Sequence, residues 1–207
     1  MNLPVTHHRR GFSLIEMLVV MMIVGTLMVI GLNIFGKTAA SSRRTATDQF
    51  TAAVEQARTA AITRRKPVIL AVAPPIPGDK DQTTRYGLFE VDSLPDNPGL
   101  IEARQVQRWN LMPDGVLFFG GDIDGLRNVL DEDQAQLKWK NGENQAFVHA
   151  LAFNSRGGLA WPTGSDSVAV KIGTGVYQNG KPIETRDGGH SSMRIGRVVA
   201  RPWRLDG

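Results

Sequence analysis

The feature that most constrains this chain is the apolar run "FSLIEMLVVMMIVGTLMVIGLNIF", which extends from Phe12 to Phe35. It contains one ionisable side chain, Glu16, and no proline. At about 1.5 Å per residue a helix of this length reaches roughly 36 Å, enough to cross a hydrocarbon core of about 30 Å with some tilt. Arg9 and Arg10 stand just before it. The positive-inside rule therefore puts the N-terminus in the cytoplasm and the rest of the chain outside it. No A-x-A-like site follows the run. The small residues of "KTAAS" keep ordinary signal-peptidase removal open but disfavoured.

Glu16 separates a plain membrane anchor from something more specific. A carboxylate at depth in lipid costs about 2.5–3.5 kcal/mol and marks a functional position that needs a partner. Cleavage between Gly11 and Phe12 would supply one. The new α-amine of Phe12, with a reference pKa of about 8, is mostly cationic at neutral pH. It would lie four residues from Glu16 on one helical face, or meet the Glu16 of a neighbouring subunit, and a low dielectric strengthens either pair. The buried acid then sets the register between packed helices.

Downstream, residues 36–66 change from lipid-like to amphipathic. Ala46, Phe50, Ala53, Val54, Ala57 and Ala61 form a stripe of helical period, with Arg43, Arg44, Asp48, Glu55, Arg58, Arg64 and Arg65 on other faces. No proline or glycine intervenes between Lys37 and Pro67, and Pro67 turns Lys66 away from helix. The pattern predicts one long helix from about Phe12 to about Arg65. Gly25, Gly31 and Gly36 lower its propensity, which fits close helix packing, local melting during assembly, or simple tolerance in lipid.

Beyond Pro67 the period shortens. "PVILAV", "RYGLFEV", "GVLFFG", "QAFVHALAF", "SVAVKIGTGV" and "SMRIGRVVA" read as strands, separated by turn signals such as "PPIPGD", "MPDG" and "NSRGG". "IEARQVQRWNLM" reads as a further strand of mixed polarity, and "GGDIDGLRNVLDEDQAQ" as a loop or short helix. The expected fold class is α+β: a long N-terminal helix, its first half transmembrane, packed on a C-terminal antiparallel sheet. The expected divisions are a leader over 1–11, a transmembrane and assembly helix over 12–35, an amphipathic helix over 36–66 and a β-rich globular domain over 67–207.

Two resemblances attach to these residues. "RRGFSLIEMLVVMMIVGTLMVI" resembles the N-terminus of type IV prepilins and of the pseudopilins of type II secretion, with Gly11, Phe12 and Glu16 each matching. The resemblance implies that a prepilin peptidase cuts after Gly11 and methylates Phe12. It also implies that Glu16, the fifth mature residue, guides subunits into a helical filament. "AAVEQARTAAITRRKPVILAV" and "LAFNSRGGLAW" with "SVAVKI" and "MRIGRVVA" are similar to the GspH/FimT group of minor pseudopilins. The pattern departs at Asn154 and Ser155, where a proline is expected, and about Pro74–Gln145 carries no recognised pattern.

Composition excludes several classes of chemistry. Hydrophobic residues make up 42% and charged residues 21%, as in a folded protein, and there is no cysteine. The net charge of +4 falls by two once Arg9 and Arg10 leave with the leader, so it is weak support for a nucleic-acid partner. His7 and His8 lie in the leader. His149 sits in a strand pattern, and His190, Ser191 and Asp187 are loop neighbours without triad geometry. No G-x-S-x-G, P-loop or H-E-x-x-H motif occurs. No enzyme activity, catalytic residue or cofactor is expected.

Two further sets of residues carry candidate binding chemistry. Asp122, Asp124 and Gly125 are a fragment of a calcium loop, but Gly120 occupies the opening acid position and Asp131 the closing glutamate position, so a solvated acidic turn is favoured. Arg194, Arg197, Arg201 and Arg204 with Trp203 suit contact with nucleic acid, against an edge strand whose arginines face water. The expected function is a minor pseudopilin of a type II secretion pseudopilus, with a minor type IV pilin of pilus assembly or DNA uptake as the alternative. Its expected partners are prepilin peptidase, other pilin-like subunits and the inner membrane, with the globular domain in the periplasm.

Overall fold

The computed structural model describes residues 14–75, 84–96, 99–121, 123–140, 142–185 and 189–205, and of residues 26–39 the backbone alone. The chain forms two compact units, Met1–Thr38 and Ala39–Gly207. The expected long helix is present as α1, Leu14–Arg64. It ends as Pro67 requires, with Arg65 already at φ 54°. Among the described residues no helix is long and apolar enough to cross a membrane. The span expected over Phe12–Phe35 runs past the described residues at Phe12 and Ser13, and its residues 26–35 are described by backbone only.

The globular unit is built from β1 (Val68–Ala73), β2 (Arg85–Glu90), β3 (Leu100–Glu102), β4 (Arg104–Gln105), β5 (Asn110–Leu111), β6 (Val116–Phe119) and β7 (Arg127–Asn128), followed by a 3-10 turn over Val129–Asp131. Then come β8 (Ala135–Trp139), β9 (Asn144–Phe153), β10 (Leu159–Trp161), β11 (Val168–Gln178), β12 (Lys181–Glu184), β13 (His190–Ile195) and β14 (Pro202–Leu205). One sheet has the order β3-β8-β9-β1-β2-β4, with β10 added to β9 and β5 to β2. The other has the order β12-β11-β13-β14, with β6 and β7 on β11. Pairing is antiparallel except for β3 with β8 and β7 with β11.

The predicted helical stripe is the floor of the main core: Ala46, Phe50, Val54, Ala57 and Ala61 have no exposed surface. They meet Val68, Leu70 and Val72 from one face of β1, together with Val168, Val170, Ile172, Met193 and Ile195 from the second sheet. Phe50 lies edge-on to Phe118 and Tyr86, at centroid distances of 4.9 and 5.6 Å. The opposite face of β1 builds a second core from Ile69, Ala71, Phe89, Leu137, Trp139, Val148 and Trp161. A strand buried on both faces reads as an unbroken apolar run, which is why "VILAVA" shows no alternation.

The single strand expected over "IEARQVQRWNLM" is corrected to three short pieces, β3, β4 and β5. Its interruption is a bulge: the amides of Val106 and Gln107 both donate to the Leu88 carbonyl, at 2.8 and 3.3 Å. The extra residue lets Trp109 pack on Phe89 and Trp139, at 5.3 and 6.0 Å between centroids, over Gly87. The closing strand expected over "SMRIGRVVA" is also shorter. β13 stops at Ile195, and the chain turns through residues 197–199 before β14. The stretch expected as a loop or short helix holds β7, the 3-10 turn and the approach to β8.

Candidate functional site

Glu16 stands in the first turn of α1, where a carboxylate suits the positive end of the helix dipole. Gly11 and Phe12, the expected cleavage and methylation positions, lie outside the described residues. Every residue from Leu14 to Gly25 is exposed, and apart from Glu16 and Gly25 all of them are large and apolar. Leu14 is 91% exposed, and even the least exposed of them, Val19 and Val20, are at 48%. These side chains surround the helix on all sides. A helix that is apolar all round has no face suited to water and is stable when lipid or other helices cover it. A single acid, Glu16, is set in this apolar sleeve.

In the globular unit the charges are arranged for structure. Glu90, at the end of β2, keeps only 6% of its side chain exposed and receives Arg64 and Arg104, each at 2.9 Å, with Lys66 at 3.8 Å. Burial alone would push this carboxyl up, but the hydrogen bonds and charges of Arg64 and Arg104 outweigh it and hold the group below its ordinary value. The cluster borders an open cleft that also takes in Asp92, Glu102, Lys138 and Trp139. Sequence reasoning missed Glu90, since nothing in "RYGLFE" distinguishes an inward carboxylate at a strand end.

The four C-terminal arginines do not form one surface. Arg194 and Trp203 are register partners on β13 and β14, both exposed. Arg204 turns toward α1, 3.6 Å from Asp48. Arg201 is exposed in the turn before β14. Arg197 points inward: its Nε donates to the Asp166 carbonyl at 3.1 Å, and its Nη1 to the carbonyls of Leu159, at 3.3 Å, and Pro162. Burial, and then the charge of nearby Arg127, lowers its pKa from the ordinary range.

The acidic turn also serves the backbone. Asp122 lies outside the described residues, and Asp124 holds φ 51° in a tight turn closed by the Leu126 amide donating to the Ile123 carbonyl at 2.8 Å. Asp131 accepts the Gly121 amide at 2.9 and 3.1 Å, and a Cβ at Gly120 would come within 2.3 Å of the Asp131 Oδ1. Asn128, buried beneath, donates to the carbonyls of Phe119 and Gly121 and accepts the Leu130 amide. Among the described residues no group of three or more metal-ligating side chains is placed to hold an ion. His149 is a strand residue whose imidazole burial pushes below its ordinary pKa, with Gln134 at 3.0 Å. His190 opens β13, 3.6 Å from Glu184, and Asp187 lies outside the described residues.

Comparison with protein families gives two matches. Residues 6–32 match the prokaryotic N-terminal methylation motif, and residues 46–186 match the type II transport protein GspH. The first includes Gly11, Phe12 and Glu16. The second, about two thirds of the chain, includes the helical stripe and β1 to β12 but leaves out β13 and β14. No curated protein and no solved structure matches. A prepilin-like N-terminus joined to this helix and this pair of sheets places the chain in the GspH family of type II transport proteins, to which it belongs.

Proposed function

We propose that this protein is a minor pseudopilin, a structural subunit of a type II secretion pseudopilus. It enters the inner membrane with its N-terminus in the cytoplasm and its globular unit in the periplasm. Prepilin peptidase removes Met1–Gly11 and methylates the new N-terminal Phe12. Helices from other subunits then replace lipid around the apolar sleeve, and Glu16 offsets the cost of its burial by meeting the α-amine of Phe12. The action is assembly, with the sheets and their turns presented to partner subunits.

The observation that carries this reading is the uninterrupted exposure of apolar side chains from Leu14 to Val24 around one acid. The globular unit encloses two cores of its own, built from residues Ala46 onward. The test is an intact mass of the full chain expressed with and without prepilin peptidase. Loss of Met1–Gly11 and gain of one methyl group is expected only with the enzyme. An unchanged precursor would leave a membrane-anchored module with no filament role.

A further inference from the structure

Two chain turns meet at the last turn of α1, and they carry a surface that the assembly reading does not use. Asn154 builds the first: its Oδ1 accepts the amides of Arg156 and Gly158, at 2.9 and 3.0 Å, and its own amide donates to the Gly158 carbonyl at 2.9 Å. The following glycines seat this turn against its neighbours. A Cβ at Gly157, where φ is 80°, would fall 2.7 Å from the Cδ1 of Ile62 on α1, and one at Gly158 would fall 3.1 Å from the Val198 carbonyl. The Leu159 amide donates to the Arg197 carbonyl at 2.8 Å, and the Gly196 amide to the Arg201 carbonyl at 3.2 Å, which joins the β13–β14 turn to the same place. The surface is thus held by backbone bonds and close packing before anything binds.

Its chemistry is specific. Three β-branched aliphatic side chains are exposed there: Ile62 at 41%, Val198 at 83% and Val199 at 48%. Arg65, three residues after Ile62, Arg156, beside Gly157, and Arg201, two residues after Val199, are exposed in the same turns, and none is in an ion pair with a carboxylate among the described residues. We propose that this surface docks a protein segment bearing carboxylates that flank aliphatic side chains. An apolar centre within a guanidinium rim matches the composition of protein interfaces, where arginine is enriched and the centre is desolvated. The unmatched positive rim supplies the charge complementarity, and the rigid turns lower the ordering cost of binding. Nucleic acid fits less well. The exposed ring at this turn, Trp203, packs over Gly196, and Arg197 is spent on carbonyls.

The test uses the full chain in nanodiscs and a short labelled peptide of alternating glutamate and valine. Control peptides replace every glutamate by glutamine, or every valine by glycine, and a single-stranded oligonucleotide serves as competitor. Salt-sensitive binding of the first peptide is expected, weakened more than tenfold by Val198→Asp with Val199→Asp, and likewise by Arg156→Glu with Arg201→Glu. All four positions are exposed, and an unchanged melting temperature in each variant would confirm that the fold is intact. The proposal fails if the acidic peptide does not bind, if either control peptide binds equally well, or if folded variants retain full affinity. It fails also if the oligonucleotide binds more tightly through the arginines while the valines are indifferent. Because the helix sleeve is untouched, this outcome is independent of peptidase processing.

Discussion

Arg64, the last residue of α1, donates to Glu90, the last residue of β2, at 2.9 Å. The bond closes the helix-to-sheet junction through a side chain that is almost fully removed from water. A carboxyl held below its ordinary 4.5 in the folded chain contributes stability that is complete above that value and is lost as pH falls through the lower, folded pKa. Unfolding measured by tryptophan fluorescence should therefore become easier below about pH 4.5. Glu90→Gln should cost about 1–2 kcal/mol at neutral pH, a figure kept low because its cationic partners remain in solvent, and should flatten that acid limb. An equally steep limb in the variant would assign the effect to other carboxyls.

Arg197 and Arg201 are four residues apart and should behave as different kinds of residue. Arg197→Ala removes donors from three carbonyls and should cost about 1–3 kcal/mol in urea unfolding, with Arg197→Lys recovering little because an ammonium lacks the planar fork. Arg201→Ala should stay within about 0.5 kcal/mol of the native chain. Equal losses at the two positions would contradict the inward placement of Arg197.

Gly157→Ala meets two penalties, a backbone at φ 80° and the Cδ1 of Ile62. The expected loss is about 1–2 kcal/mol. In an Ile62→Ala background the steric part disappears and the backbone part remains, so the two substitutions should be non-additive by about 0.5–1 kcal/mol. Strict additivity in thermal unfolding would show that the turn already stands clear of the helix.

Glu16→Leu keeps the apolar sleeve and removes its only charge. The precursor should still be inserted and cut by prepilin peptidase, while recovery in sheared filament fractions should fall at least tenfold. Undiminished incorporation would remove Glu16 from the assembly mechanism.

These outcomes also mark how far the sequence alone was informative. The buried stripe from Ala46 to Ala61 was legible because helical period is a local property, and each of its predicted members is buried. β1, β9 and β11 were legible as apolar runs between turn signals. Between β2 and β8 only β6, within "GVLFFG", was legible in this way. The geometry of the rest of that region is set by a bulge opposite Leu88, by Asn128 beneath a loop, and by Asp131 holding an amide ten residues back. Such contacts depend on chain partners that no local pattern names. The same holds for Glu90 and Arg197, which look in sequence like any other surface charges. Asn154 is a partial exception. It departs from the proline expected there, yet an asparagine before "SRGG" is itself a turn signal, and its side chain closes the turn.

β9 pairs with β8 over its first half and with β1 and β10 over its second. Its Leu151 and Phe153 face the helix, while Val148, Ala150 and Ala152 face the tryptophans. Moving this strand by a single place would swap those two sets and spoil both interiors at once. Inserted or deleted residues are thus tolerable only at its two ends, and β9 acts as the ruler against which the rest of the globular unit is measured.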